Sequence, residues 1–151
     1  MISLINEICT NTINQDIDSV VSIMIFNYLI GNCNAHGKNY AILYDKPNHP
    51  RLAPFFDLVS TTICSATANP NMSMSLGGEY NINKITKDHF LNELKDSNIN
   101  FNIYTKKIAY FRDNYEKAFT TISNISEVQN YKYLIKAIKD QFKKRLNSLL
   151  K

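Results

Sequence analysis

"LIGNCNAHGKNYAILY", Leu29 to Tyr44, joins an apolar run to a segment dense in Asn, His and Lys, and its reading decides the fold. Upstream, Asp16 to Ile30 place Val20, Val21, Met24 and Leu29 around a buried helix, with Asp16 or Asp18 as its N-terminal cap. Gly31 stops that helix. The small polar side chains from Gly31 to Tyr40 make a poor core and a good loop for holding something charged. "NYAILY" (Asn39–Tyr44) then reads as a short strand, "DKPNHP" (Asp45–Pro50) as a turn and "RLAPFF" (Arg51–Phe56) as the return strand. A hairpin of this kind carries the chain back, so that the Asn-rich loop comes close to Asp57.

Beyond Asp57, "STTICSATANPNMSMSLGGEY" reads as a largely irregular loop with a short strand around Met72–Leu76, and Gly77–Gly78 as a tight turn. Thr86 caps a helix from about Lys87 to Leu94. Two longer amphipathic helices follow, Ile103–Ile122 and Val128–Leu150. Their apolar positions recur at three- and four-residue steps: Ile108, Phe111, Tyr115 and Phe119, then Tyr131, Leu134, Ile138, Phe142, Leu146 and Leu149. These are core residues of a bundle. The expectation is a mainly helical domain with one β-hairpin inserted at the polar loop, residues 1–15 forming a lead-in and residues 16–151 the domain.

A chain of 151 residues with 44% hydrophobic residues is one domain's worth, or one lobe of something larger, and can build a real core. The net charge of +4, spread along amphipathic segments, is too diffuse for a dedicated nucleic-acid surface but favours anionic ligands. Lys84, Lys87, Lys106 and Lys107 read as solvated helix faces. Cys9, Cys33 and Cys64 are odd in number and lack CxxC spacing, which points to small packing residues in a reducing, cytoplasmic setting. His36, His49 and His89 lack zinc-ligand spacing. The longest apolar stretch is too short and interrupted to span a bilayer.

Asn34 and Asn39 are five positions apart, and Asp57 follows the hairpin. One carboxylate and one amide oxygen converging on a point suit a magnesium ion, which takes hard oxygen ligands and completes its shell with water and phosphate. Phosphoryl transfer asks little more of a protein: metal on the phosphates and one residue to orient the attacking hydroxyl.

"LIGNCNAHGKNYAILY" followed by "RLAPFFDLVS" resembles the C-terminal kinase core of HipA-like toxin Ser/Thr kinases. That family's pattern is approximately Leu-Ile-Gly-Asn-x-Asp-x-His-x-Lys-Asn-Phe, then Leu-x-Pro-x-Tyr-Asp-Leu. "MSMSLGGEYNINKIT" is similar to a third family segment, so the resemblance runs from about residue 16 to the end. It implies a protein-kinase-like C-lobe acting with magnesium and ATP on a protein substrate, as the toxin of a toxin–antitoxin system. By the same resemblance, Asn39 and Asp57 hold the metal and nucleotide, while His36 and Lys38 support the loop or lie near the phosphates. Asn34 stands where the family has its catalytic Asp, and Phe56 where it more often has Tyr.

The Asn34 departure has a chemical consequence. An amide orients a hydroxyl but cannot take its proton, and loss of general-base assistance costs on the order of 10²–10⁴ in rate. No GxGxxG or P-loop pattern is present, so the phosphate-covering lobe is expected from another chain or from sequence upstream. Two readings follow. The chain is the C-lobe of a HipA-like kinase with crippled turnover, or it is a degenerate lobe, a pseudokinase that binds an antitoxin-like partner or a separate N-lobe chain.

Overall fold

The computed structural model describes residue 7 and residues 13–44, 49–64 and 69–151. Cys9, most of the lead-in and residues 45–48 of the expected turn lie outside the described residues. The order of elements is α1 (Ile13–Ile30), β1 (Ile42–Leu43), β2 (Arg51–Leu52), α2 (Thr61–Cys64), β3 (Asn71–Leu76), β4 (Glu79–Asn81), α3 (Lys87–Asp96), α4 (Asn102–Ser123) and α5 (Lys132–Leu149). Short 3₁₀ turns occupy Gly37–Asn39 and Ser126–Tyr131. The domain is mostly helical with two small antiparallel sheets.

α1 is the central element because it is apolar nearly all round, as a helix surrounded by protein must be. Val20, Val21, Ile25 and Leu29 are buried, and α1 packs against both α4 and α5. Phe90 and Leu94 from α3, Tyr104 and Ile108 from α4, and Phe142, Leu146 and Leu149 from α5 complete the core. Each fully buried side chain of this size contributes about 1.5–3 kcal/mol. The Tyr28 ring meets Phe90 edge-on at 5.6 Å. The three- and four-residue spacing in the last two helices is thus core packing at Ile108, Phe111, Tyr115, Phe119, Phe142, Leu146 and Leu149. Tyr131, expected in the core, is instead exposed ahead of α5, and Leu134 and Ile138 lie outside the core cluster.

Two helices end in the same way. At the end of α1, Gly31 N donates to Tyr28 O (3.2 Å) and Asn32 N to Asn27 O (2.8 Å), with Gly31 at φ 76°. At the end of α3, Asn98 N donates to Lys95 O (3.0 Å) and Ile99 N to Leu94 O (2.8 Å), with Asn98 at φ 54°. Both are Schellman motifs, which need a left-handed residue after the helix.

Several expectations from the sequence are corrected. Asp16 does not cap α1: it is buried in the first turn, and Asp18, further inside the helix, pairs with Lys107 of α4. Lys107 is therefore a tether rather than a solvated residue, whereas Lys84, Lys87 and Lys106 are exposed. The first hairpin is shorter than Asn39–Tyr44 with Arg51–Phe56. Its ladder pairs Ile42 with Leu52 and Leu43 with Arg51, and Ala53 N adds one bond to Ala41 O (2.8 Å). Pro54, which has no N–H, cannot extend it.

A second hairpin, β3–β4, occupies part of the segment read as irregular, and α2 adds one helical turn there. Its Gly77–Gly78 turn has φ 53° and 85°, the double positive φ of a tight hairpin connection. The last long helix also starts later than Val128. Gln129 Nε2 donates to Ser123 O (2.8 Å) at the end of α4 and to Ile125 O (3.0 Å) just before the Ser126–Tyr131 3₁₀ turn, tying that turn to the helix end. Among the described residues, no helix is long and apolar enough to cross a membrane.

Candidate functional site

The Schellman stop at Gly31 throws the chain out of α1 into the polar loop, and the loop is held from three sides. Thr61 Oγ1 donates to Gly31 O (3.0 Å) and accepts from Cys33 N (2.9 Å), tying in α2. Ser73 of β3 donates twice to Cys33 O, through N and Oγ, each at 2.9 Å. From α5, Gln141 Nε2 donates to Ile30 O (2.7 Å) and Arg145 Nη1 to Tyr28 O (2.7 Å), supplying donors to the last carbonyls of α1.

The centre of the loop is Asn32, 1% exposed. Its Nδ2 donates to Asn27 Oδ1 (3.0 Å) and to Asp57 O (3.3 Å), and its Oδ1 accepts from Asn34 N (3.0 Å). One buried amide thus locks the end of α1, the loop and the backbone of Asp57 together. Sequence reasoning passed over Asn32 and its partner Asn27. The available signal was an amide in each of two positions where an apolar helix ends, since a buried amide must find partners.

Around this hub the structure assembles the residues singled out from the sequence. Asn39 is 8% exposed and closes a 3₁₀ turn through Asn39 N to His36 O (2.9 Å). Its Nδ2 donates to Asp57 Oδ2 (2.8 Å) and to Asn34 O (3.2 Å). Asn34 is exposed, and its Nδ2 also donates to Asp57 Oδ2 (3.2 Å). Asp57 has φ 56°, a left-handed conformation that Asp tolerates better than most residues. The short hairpin lies between Asn39 and Asp57 and returns the chain to the loop.

The two other loop residues are placed differently. Lys38 is exposed on the 3₁₀ turn, leaving its charge free to meet an anion. His36 is half-buried, and its Nδ1 is enclosed with no hydrogen-bond partner among the described residues. Its backbone carbonyl, not its ring, makes the bond that shapes the turn. Phe56, beside Asp57, is 49% exposed and carries no packing load there. Tyr40 packs edge-on to Phe55 at 6.0 Å. Burial pushes its phenol above the ordinary value, opposed by a hydrogen bond with Asn27.

A crevice of about 10 Å³ lies among Asn32, Ala35, Asn39, Tyr40 and Asp57, on the scale of one water or one small ion. The groups able to face a hard cation there are the Asp57 carboxylate and, with its amide turned over, Asn39 Oδ1. Cis ligands of an octahedral magnesium at about 2.0–2.1 Å lie about 2.9 Å apart. In the structure Asn39 Nδ2 and Asp57 Oδ2 are joined by a hydrogen bond of 2.8 Å, so a cation at this place would exchange that bond for two oxygen ligands. Among the described residues no cluster of three or more His, Cys, Asp or Glu side chains is assembled, so the donors on offer are two oxygens rather than a full cage.

The fold and this loop define a helical domain whose Asn-rich turn, hairpin and returning acid form one hydrogen-bonded unit. Residues 1–130 match the family model described as the HipA-like C-terminal domain, and the chain belongs to that family. It is similar to a Sinorhizobium fredii protein named "Putative kinase Y4mE", 29% identical over 107 residues, covering 71% of this chain and 25% of that protein. A Haemophilus influenzae protein named "Putative kinase" is 44% identical over 39 residues, 26% of this chain and 11% of the other. Among solved structures, the Shewanella oneidensis MR-1 "Toxin Antitoxin System HipA, HipB and its operator DNA complex" contains a chain of the same fold. The TM-score is 0.75 at 20% identity, over 88% of this chain and 31% of that one. The chain thus spans about a quarter to a third of the length of the longer matches.

Proposed function

We propose that this chain forms the metal- and phosphate-binding C-lobe of a HipA-like Ser/Thr kinase site, with Asn34 in place of the general base. The observation that supports it most is the convergence of Asn34 and Asn39 on one oxygen of Asp57, at 3.2 and 2.8 Å. Asn39 and Asp57 would hold magnesium with ATP phosphates and water filling the remaining positions. Bound metal supplies charge neutralisation on the phosphoryl group being transferred.

The chain's own residues do the rest. Exposed Lys38 adds positive charge beside the phosphates. Asn34 orients a substrate hydroxyl but takes no proton from it, so turnover is slowed by on the order of 10²–10⁴. Covering the phosphates falls to residues other than those of this loop. The kinase names of the two curated relatives agree with this assignment.

The test is titration of magnesium-ATP into the protein while following the side-chain amide resonances of Asn34 and Asn39, with Asp57→Asn as control. Saturable shifts that need both magnesium and Asp57 support the reading. No perturbation at millimolar nucleotide ends it.

A second reading, a lobe that binds an antitoxin-like partner or a separate N-lobe chain, is favoured by a different observation. An apolar groove of about 450 Å³ runs along Phe26, Leu58, Tyr110, Phe119 and Ile138, and Leu58, Tyr110 and Ile122 at its margin are exposed. Surfaces of this kind tend to be covered by partners. Co-purification of the protein with a co-expressed HipB-like chain, with hydrogen-exchange protection confined to the groove, is the expected result. Protection elsewhere, or none, excludes it.

A further inference from the structure

One turn along α5 from Phe142 and on the same buried face, Arg145 is 9% exposed, yet what surrounds it is not acidic. Its Nη1 donates to Tyr28 O (2.7 Å), and its guanidinium lies 5.5 Å from the centre of the Tyr28 ring. Desolvation pulls it below its ordinary value, and the groups that act on it electrostatically are Tyr28 and Cys33 rather than any carboxylate. A guanidinium has five N–H donors in a fixed fork. The only enclosed, partnerless side-chain nitrogen or oxygen among the described residues belongs to His36, so the Arg145 donors not used on Tyr28 O open into accessible space.

That space is a cavity of about 280 Å³ lined by Tyr28, Asn83, Gln141, Lys144, Arg145 and Ser148. A second cation, two neutral amides and two hydroxyls therefore share a wall with a buried arginine. Ser148 Oγ lies 3.1 Å from Tyr28 Oη, and the two hydroxyls donate to Arg145 O (2.6 Å) and Ile85 O (3.4 Å) respectively, so they shape the wall and leave the cations to meet a ligand. Burying a cation without a counter-charge is costly, and a bound anion repays the cost. A planar fork beside an ammonium matches the tetrahedral oxygens of a phosphate group.

We propose that the cavity formed by Tyr28, Asn83, Gln141, Lys144, Arg145 and Ser148 is a binding site for a phosphate group, separate from the Asn39–Asp57 loop. Arg145 and Gln141 lie one turn apart on α5 and hold Tyr28 O and Ile30 O, immediately before the polar loop begins. The phosphate is either a free ion or a phosphorylated side chain, and the chemistry of recognition is the same for both.

The experiment uses the full chain in EDTA, so that the metal-binding loop plays no part. Inorganic phosphate, chloride at matched ionic strength and N-acetyl-phosphoserine amide are titrated in turn while the Arg145 Nε–H resonance is followed. A saturable shift with phosphate but not chloride, with Kd raised at least fivefold in Lys144→Ala, supports the site. Lys144 is exposed, so this variant keeps the fold, which a melting curve verifies. Tighter binding of the phosphoserine amide identifies a modified side chain as the ligand, and tighter binding of inorganic phosphate identifies the free ion. Equal, unsaturated shifts with phosphate and chloride overturn the proposal. So does saturable phosphate binding that leaves Arg145 and Lys144→Ala unaffected.

Discussion

Asn39 Nδ2 and Asp57 Oδ2 lie 2.8 Å apart across 18 residues of chain. Asn39 is almost wholly buried while Asp57 is exposed, so the pair joins a rigid interior to an open surface. The consequence is mechanical as well as chemical. Asp57 is held by Asn39 and Asn34 at its carboxylate and by Asn32 at its backbone, in a conformation its φ of 56° would otherwise disfavour.

Removing that carboxylate separates its two costs. Asp57→Ala strands the buried Asn39 donor, at about 1–3 kcal/mol, and places an ordinary β-carbon at positive φ, at about 1–2 kcal/mol. Asp57→Gly keeps the first cost and removes the second. Urea denaturation should therefore find both variants destabilised, with Gly the more stable of the two by about 1 kcal/mol. Equal stability of the two would mean that the backbone at this position is relaxed.

Placing an acid at position 34 makes a prediction of opposite sign for stability and for metal. Asn34 Nδ2 now donates to Asp57 Oδ2, and Asn34→Asp replaces that donor with a second carboxylate. Like charges disfavour each other's ionised forms. Without magnesium the variant should melt a few degrees below the parent. With magnesium the order should narrow or reverse, because a ligand that binds only the native state stabilises it by mass action. Melting curves with and without millimolar magnesium check this, and a metal-independent difference would show that no cation shares the pair.

The spacing of Asn34, Asn39 and Asp57 alone is a weak signal, but much of this site could be read in the sequence because "LIGNCNAHGKNYAILY" and "RLAPFFDLVS" resemble two family motifs in the right order. The loop's supports could not be. Thr61, Ser73 and Gln141 reach it from three separate elements through ordinary polar side chains with no periodicity to mark them. The long helices were legible from their apolar steps, whereas β4, only three residues long, carries too few positions for alternation to register. Lys107 was misjudged because its partner Asp18 lies on another helix, and a pair at that separation leaves no pattern in the chain.

Alkaline pH should unfold the protein through its buried phenols. Tyr104 is 3% exposed, packed 5.5 Å from the Phe90 ring, and burial, with Tyr28 adding to it, pushes its phenol far above the ordinary range. Tyr40 shifts in the same direction. A raised folded-state value means that the stability is fully present below the unfolded value of about 10 and is lost as pH rises beyond it. Melting temperatures should thus fall between pH 9.5 and 11, to be set against roughly constant ones from pH 7 to 9 in the same buffer series. Tyr104→Phe, which forfeits only a 3.5 Å bond to Leu149 O, should flatten part of that fall.

The two Schellman ends provide an internal control for the way the loop is anchored. Gly31→Ala and Asn98→Ala each place an alanine at positive φ, φ 76° and 54° in the present structure, and that alone costs about 1–2 kcal/mol. Asn98 is exposed, so nothing more is expected there. At Gly31 a β-carbon would run into Thr62 Oγ1 and Gln141 Nε2, a pair already joined by a 2.6 Å bond from Thr62 Oγ1 to Gln141 Oε1. Gly31→Ala should therefore cost about 3 kcal/mol or more, in the range reserved for overpacking with a lost hydrogen-bond network. Adding Gln141→Ala removes one of the colliding groups, so the double variant should be more stable than the sum of the single losses predicts. Denaturant midpoints for the four proteins decide it: additivity at Gly31 and Gln141 would mean that the loop is not braced by α5 at this point.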